Sequence, residues 1–208
     1  MRLSTGRLEA FSDGVLAIAI TLLVLEIKIE PSGFEDLWRS LAEEWPAYLA
    51  YVTSFLTIGG VWLAHHALFE RLSAIDPVLM RLNLLLLMAV SFLPFPTALM
   101  SEALRESQSA ERAAVVVYGL TAGLIELLLA TASRYAASHP ELLETGAEPP
   151  RADRARGGIR FSLYGLLLLA GILVFPRVAA FGYFAVAAYA VLSPRGEGRL
   201  TLRGPLGS

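Results

Sequence analysis

Near the start of the chain, Arg7, Glu9, Ser12 and Asp13 stand within seven residues and lead without a break into the apolar run AIAITLLVLEI. Farther on, Trp62, His65 and His66 close a second apolar stretch, and Arg81 and Asn83 lie at the head of a third. Side chains of these types admit three kinds of chemistry. Carboxylates beside histidines can pass protons, because imidazole titrates near neutral pH. Histidines and carboxylates can together hold a metal ion. The same groups can also satisfy one another's hydrogen bonds as a static clasp, which avoids the cost of leaving buried donors and acceptors unpaired. A charge inside hydrocarbon costs roughly 2.5–3.5 kcal/mol on insertion scales, so such residues at membrane depth have partners.

For metal chemistry the pattern is poor. Adjacent histidines on a helix point about 100° apart, so His65 and His66 do not readily share one ion. No HExxH motif accompanies them, and the chain has no cysteine, which removes thiolate ligands and thiol redox catalysis. The chain is not expected to be an enzyme, and no cofactor or metal is expected.

The elements that must position these residues follow from composition. Of 208 residues, 55% are hydrophobic and only 17% charged, and the charges are unevenly spread, which excludes an ordinary soluble domain and leaves an all-α membrane protein. Six stretches approach the length of a spanning helix: about 9–29, 45–69, 78–100, 112–133, 159–175 and 178–193. With no internal repeat, residues 1–208 read as one six-helix domain. The first run resembles a secretory signal in length, but it lacks a small-residue cleavage site and carries Asp13, so it is expected to be mature structure. With the N-terminus cytoplasmic, only Lys28, Arg39, Arg105, Arg112 and Arg177 fall outside, and the other twelve of the 17 Lys and Arg fall inside. The positive-inside rule and an even number of spans then put both termini in the cytoplasm.

Between the first two helices, Ser32-Gly33-Phe34-Glu35 has the form of a capping box, and Phe34, Leu37, Trp38 and Leu41 follow a helical period, predicting a short helix on the outer membrane interface. The surrounding acids, from Glu26 to Glu44, would either concentrate cations or merely be solvated. Asp76-Pro77 is a cap followed by a helix-start proline, and Pro94 and Pro96 in SFLPFPT should kink the third helix. Residues 138–158 read as a mobile cytoplasmic linker, Pro176-Arg177 as a tight turn, and the terminal GPLGS as a cloning remnant.

An antiparallel second helix would bring Trp62, His65 and His66 to the level of Arg7, Ser12 and Asp13, with Arg81 and Asn83 nearby. A buried network of Arg7, Ser12 and Asp13 with one histidine and Asn83 is therefore expected. Beyond it, Phe11, Val15, Ile18, Leu22, Leu25 and Ile29 form one stripe of the first helix, and Ala10, Gly14, Ala17 and Thr21 a neighbouring one. Small residues at four-residue spacing permit close helix approach.

Arg7-Leu8-Glu9-Ala10-Phe11-Ser12-Asp13 fits R-x-x-x-F-S-D and resembles the first-helix motif of the lysosomal potassium channel family, transmembrane protein 175, in its short prokaryotic branch; FLPFPT in the third helix is similar as well. The resemblance implies a potassium-selective channel without a carbonyl filter, six helices per subunit and a homotetramer in which the first helix lines a central pore. It places the narrowest apolar layer at Ile18, further layers at Leu22 and Leu25, and a polar ring at Thr21. The implied partners are the lipid bilayer and identical subunits, with no nucleic acid, in the plasma membrane of a prokaryote, and potassium is the permeant species. Four Ile18 side chains around an axis would gate by dewetting, and potassium sheds water at lower cost than sodium, so modest discrimination follows. Three other readings stay open on the residues alone: proton conduction, a histidine-dependent membrane transporter or enzyme, and a non-conducting membrane scaffold.

Overall fold

The structure, a computed structural model, describes residues 5–29, 31–145, 159, 161–170 and 176–192, with backbone alone at 31–33. Among these residues the chain is all-helical, and four helical stretches are long and apolar enough to cross a membrane: Thr5–Glu26, Trp45–Phe69, Pro77–Ala103 and Gln108–Ser138. It is a multi-pass membrane protein.

Helix α1, Thr5–Leu22, continues as a 3-10 turn, Leu23–Glu26, and ends where Ile27 turns extended. It therefore begins one turn earlier and ends sooner than hydropathy suggests, because the polar motif is itself helical. Its buried residues, Ser12, Leu16, Ala19 and Leu23, recur at four, three and four positions and so mark a single face. The stripes singled out by periodicity lie mostly elsewhere, although Val15 is partly buried against the core and Ile29 is partly buried. Phe11, Ile18, Leu22 and Leu25 are exposed, and so are Ala10, Gly14, Ala17 and Thr21.

A 3-10 segment, Pro31–Asp36, leads into the short helix α2, Leu37–Glu43. The cap is Asp36, whose Oδ1 accepts from the Arg39 N–H at 3.3 Å, so the helix starts after the expected Ser32 box rather than within it. Helix α3, Trp45–Phe69, opens with Pro46 in its first turn, where the missing N–H costs nothing. It packs against α8 (Pro176–Leu192), and Gly60 permits this: a Cβ there would stand 3.2 Å from the Ala190 Cβ.

The third span is interrupted at the expected prolines. Helix α4, Pro77–Phe92, stops at Leu93, and α5, Pro94–Ala103, starts at once. Neither Pro94 nor Pro96 can donate a backbone hydrogen bond. Leu93 N–H turns back to Val90 O at 3.0 Å, and the Thr97 hydroxyl donates to Leu93 O at 2.8 Å, compensating part of the interrupted ladder. At the other end, Asp76 caps α4 through Leu79 N–H at 2.8 Å.

Helix α6, Gln108–Ser138, has 31 residues, roughly 46 Å at 1.5 Å per residue, longer than the hydrocarbon core, so it tilts or projects. The expected loose linker is partly docked. Pro140–Leu142 forms a 3-10 turn, Leu142 is buried, Ser73 N–H donates to Leu142 O at 2.9 Å and Glu144 N–H to Arg71 O at 2.9 Å. Residues 146–158, 171–175 and the terminal GPLGS lie outside the described residues.

Helix α7, Phe161–Ala170, and α8 complete the chain. Pro176-Arg177 does not form the expected turn. Pro176 opens α8, and Arg177 donates to Glu111 Oε1 from Nε (2.9 Å) and Nη2 (2.7 Å), tying α8 to the start of α6. The core holds a cluster of buried tyrosines, with Tyr164 stacked on Tyr183 and Tyr118 tilted against it. Ser54 and Thr57 hydroxyls reach the Tyr118 hydroxyl, Thr57 also that of Tyr164, and Ser54 Oγ stands 2.7 Å from Thr97 Oγ1.

Candidate functional site

Two sets of polar side chains hold the first half of α1 against α3 and α4. In the buried set, the Ser12 hydroxyl donates to Leu8 O one turn back at 2.8 Å. With its proton spent there, Ser12 Oγ accepts from Asn83 Nδ2 at 2.9 Å. That fixes the Asn83 amide, whose Oδ1 then faces His65 Nε2 at 2.8 Å. A carbonyl oxygen only accepts, so His65 Nε2 carries the proton and donates. His65 Nδ1 is buried without a hydrogen-bond partner among the described residues, and the ring stacks on Phe69 with centroids 4.1 Å apart.

The second set is a ladder between antiparallel helices. Trp62 Nε1–H donates to Asp13 Oδ1 at 2.9 Å, and His66 Nδ1 lies 3.1 Å from Glu9 Oε1. Glu9 and Asp13 are four apart on α1, and Trp62 and His66 four apart on α3, so both rungs lie on one face of each helix. The Trp62 and His66 rings stack, 5.7 Å between centroids, and His66 Nε2 also stands 3.3 Å from Glu70 Oε1.

The two histidines thus point apart, one into the core and one to the rim. Among the described residues no three His, Asp or Glu side chains are placed to hold a metal ion. Of the residues expected in the network, Ser12, Asp13, Trp62, His65, His66 and Asn83 are brought together. Arg7 is not: it is exposed and makes no hydrogen bond or ion pair among the described residues, because it lies off the face that meets α3. Phe11 is also exposed. Glu9, noted in the sequence but left out of the expected network, and Glu70, not singled out at all, both join it; the matched four-residue spacings of Glu9/Asp13 and Trp62/His66 were a usable signal.

On the outward face of α1, Ile18 is 61% exposed, Leu22 43% and Leu25 61%. The Thr21 hydroxyl donates to Ile18 O at 2.9 Å and keeps its lone pairs free to accept. One helix therefore carries a polar, protein-bound end and an apolar face left open by the described residues.

Comparison with known proteins places this arrangement. Residues 7–94 match the family described as endosomal/lysosomal potassium channel TMEM175. Over 163 residues, 78% of either chain, the sequence is 44% identical to a protein of Streptomyces collinus named as a potassium channel. The chain belongs to the TMEM175 family. Its structure superposes with a TM-score of 0.80 on the crystal structure of a lysosomal potassium-selective channel TMEM175 homolog from Chamaesiphon minutus, at 36% identity over 90% of this chain and 96% of that one. The endosomal/lysosomal proton channel TMEM175 of Gallus gallus is 39% identical over 116 residues, 51% of this chain and 23% of that longer protein. The TMEM175 segment that matches runs from Arg7 to Pro94, so it contains the buried Ser12–Asn83–His65 set, both rungs of the ladder and the break in the third span. TMEM175 is a family of ion channels, and this member is not an enzyme.

Proposed function

We propose that the chain is the subunit of a potassium-conducting channel whose pathway runs along the outward face of α1, with Ile18, Leu22 and Leu25 forming an apolar constriction. The observation that carries this reading is the exposure of those three side chains on one face while Ser12, Leu16, Ala19 and Leu23 bury the other. A single such helix encloses nothing, so copies must surround an axis. The family resemblance favours four, each with six crossings, α7 and α8 being the last two, and with both termini in the cytoplasm of a prokaryotic cell. An apolar neck passes ions only when wetted, and an ion entering it loses part of its hydration shell. Potassium loses water more cheaply than sodium, and Thr21 oxygens can replace part of the loss. In this reading the Asp13–Trp62 and Glu9–His66 rungs fix the rotation of α1 so that Ile18 faces the axis. The relatives from Streptomyces collinus and Chamaesiphon minutus are named as potassium channels, which supports potassium as the permeant ion.

The test is ion flux from proteoliposomes with potassium or sodium inside. Potassium flux should exceed sodium flux in the native protein, and Ile18→Asn should raise both while narrowing the difference. Unchanged flux and preference in Ile18→Asn would remove Ile18 from the constriction.

A second reading, that protons permeate, has its own support: the half-exposed His66 ring between Glu9 and Glu70 at the motif end of α1, and a relative named as a proton channel. Collapse of a pH gradient with no permeant metal cation present would favour it over the first.

A further inference from the structure

We propose that α2 is a bilayer-docked anchor: Phe34, Leu37, Trp38 and Leu41 enter the headgroup–acyl boundary of the leaflet opposite the polar network, and the partner they fit is lipid. The helix has only 7 residues, far too few to stand alone in water. Among the described residues none of its seven is fully buried and only Ser40 and Leu41 are partly covered, so its apolar face is largely open. Yet its residues are segregated. At 100° per residue, Leu37, Trp38 and Leu41, with Phe34 just before them, fall in one sector, and Asp36, Arg39 and Glu43 fall opposite. Arg39 Nε donates to Glu43 Oε1 at 2.8 Å, which keeps the polar face self-paired and facing water. Trp38 is 85% exposed, the most open of the large apolar side chains described, and Phe34 is 66% exposed.

Lipid is favoured over another occupant by where α2 sits along the chain. Only Glu44 separates it from α3, and α3 begins with Trp45, a half-exposed indole stacked on Phe181 at the end of a membrane span. A tryptophan at a span terminus marks the membrane–water boundary. The helix next to it must lie within a turn of that boundary, with aromatic side chains on one face and ions on the other, the arrangement of an interfacial helix. Residues 27–36 join α2 to the far end of α1, so a docked α2 fixes the height of that end relative to the bilayer.

The test uses the full chain in phosphatidylcholine proteoliposomes. The chain has 3 tryptophans, so W45F/W62F leaves Trp38 as sole reporter. Lipids brominated near the top of the acyl chains should quench most of its emission, which should be blue-shifted, while aqueous iodide should quench little. Strong iodide quenching without bromolipid quenching would put Trp38 in water and overturn the proposal. Protection from both would mean a protein cover, a second copy of the chain, and would also overturn it. Should the double variant fail to fold, Trp38→Phe in the otherwise native chain must lower the bromolipid-quenchable emission; an unchanged fraction counts against docking.

Discussion

Removing the Asn83 side chain is the sharpest perturbation of the buried set. Asn83, Ser12 and His65 are all essentially inaccessible, so no water replaces a lost partner. Asn83→Ala deletes the bonds to Ser12 Oγ (2.9 Å) and from His65 Nε2 (2.8 Å). Ser12 still donates to Leu8 O, so its loss is one accepted bond, about 0.6 kcal/mol by the average for membrane proteins. The His65 N–H is stranded, which adds about 1–3 kcal/mol. Rotating the ring does not help, because among the described residues the site of Nδ1 offers no hydrogen-bond partner either. The expected cost is therefore about 1.5–3.5 kcal/mol. Ser12→Ala strands only Asn83 Nδ2–H and should cost about 1–2 kcal/mol. In the double variant the shared bond is lost once, so its cost should fall short of the sum by about 1 kcal/mol. Reversible unfolding in mixed micelles, read by near-UV circular dichroism, measures all four corners of the cycle. Additivity within about 0.3 kcal/mol would refute a coupled network and leave these residues as separate contacts.

Two other substitutions probe the frame around that set. Gly119 lies against Tyr183, whose hydroxyl donates to Val115 O at 3.3 Å, and a Cβ at 119 would overlap that hydroxyl and stand 2.9 Å from Cζ. Gly119→Ala should destabilise by about 1–3 kcal/mol through overpacking, seen as a lower melting temperature in detergent. Asp76 is pushed up by burial, but the N–H groups of Leu79 and Val78 and the Tyr135 hydroxyl outweigh this and hold its carboxyl below the usual carboxylate range. A lowered folded-state value stabilises above the unfolded one and ceases to do so as pH falls through the folded one. Asp76→Asn should thus melt below the native protein at neutral pH, and the gap should close below about pH 4. A gap that does not depend on pH would contradict this.

Local chemistry made some features readable from sequence and global packing hid others. Asp76-Pro77 combines a cap acceptor with a helix-start proline, so the start of α4 is legible from two residues. The polar level shared by Ser12, Asp13, Trp62, His65 and Asn83 is legible because unpaired polar groups at membrane depth require one another. Periodicity alone could not rank the faces of α1, since in a membrane helix the lipid-, protein- and pathway-facing stripes are all apolar. The buried stripe of Ser12, Leu16, Ala19 and Leu23 carries one polar residue and gave no contrast with the stripe through Ile18. Arg7 drew attention by its charge, yet only its angular position decides whether it meets α3. Pro176 and Pro94 were both signals of interruption, and proline serves equally as a break and as a helix start. Which role it takes depended on partners distant in sequence, Glu111 for Arg177 and Ser54 for Thr97.

The central claim is that ions pass along the outward face of α1. The chain has no cysteine, so single cysteines placed at Ile18, Leu22 and Leu25 on one face, and at Leu16 and Leu23 on the other, can be treated with a water-soluble, charged thiol reagent during potassium flux. Modification and block at Ile18, Leu22 and Leu25, with none at Leu16 and Leu23, is the predicted result. Block by modification at Leu16 or Leu23 alone, or flux indifferent to modification at Ile18, would contradict it.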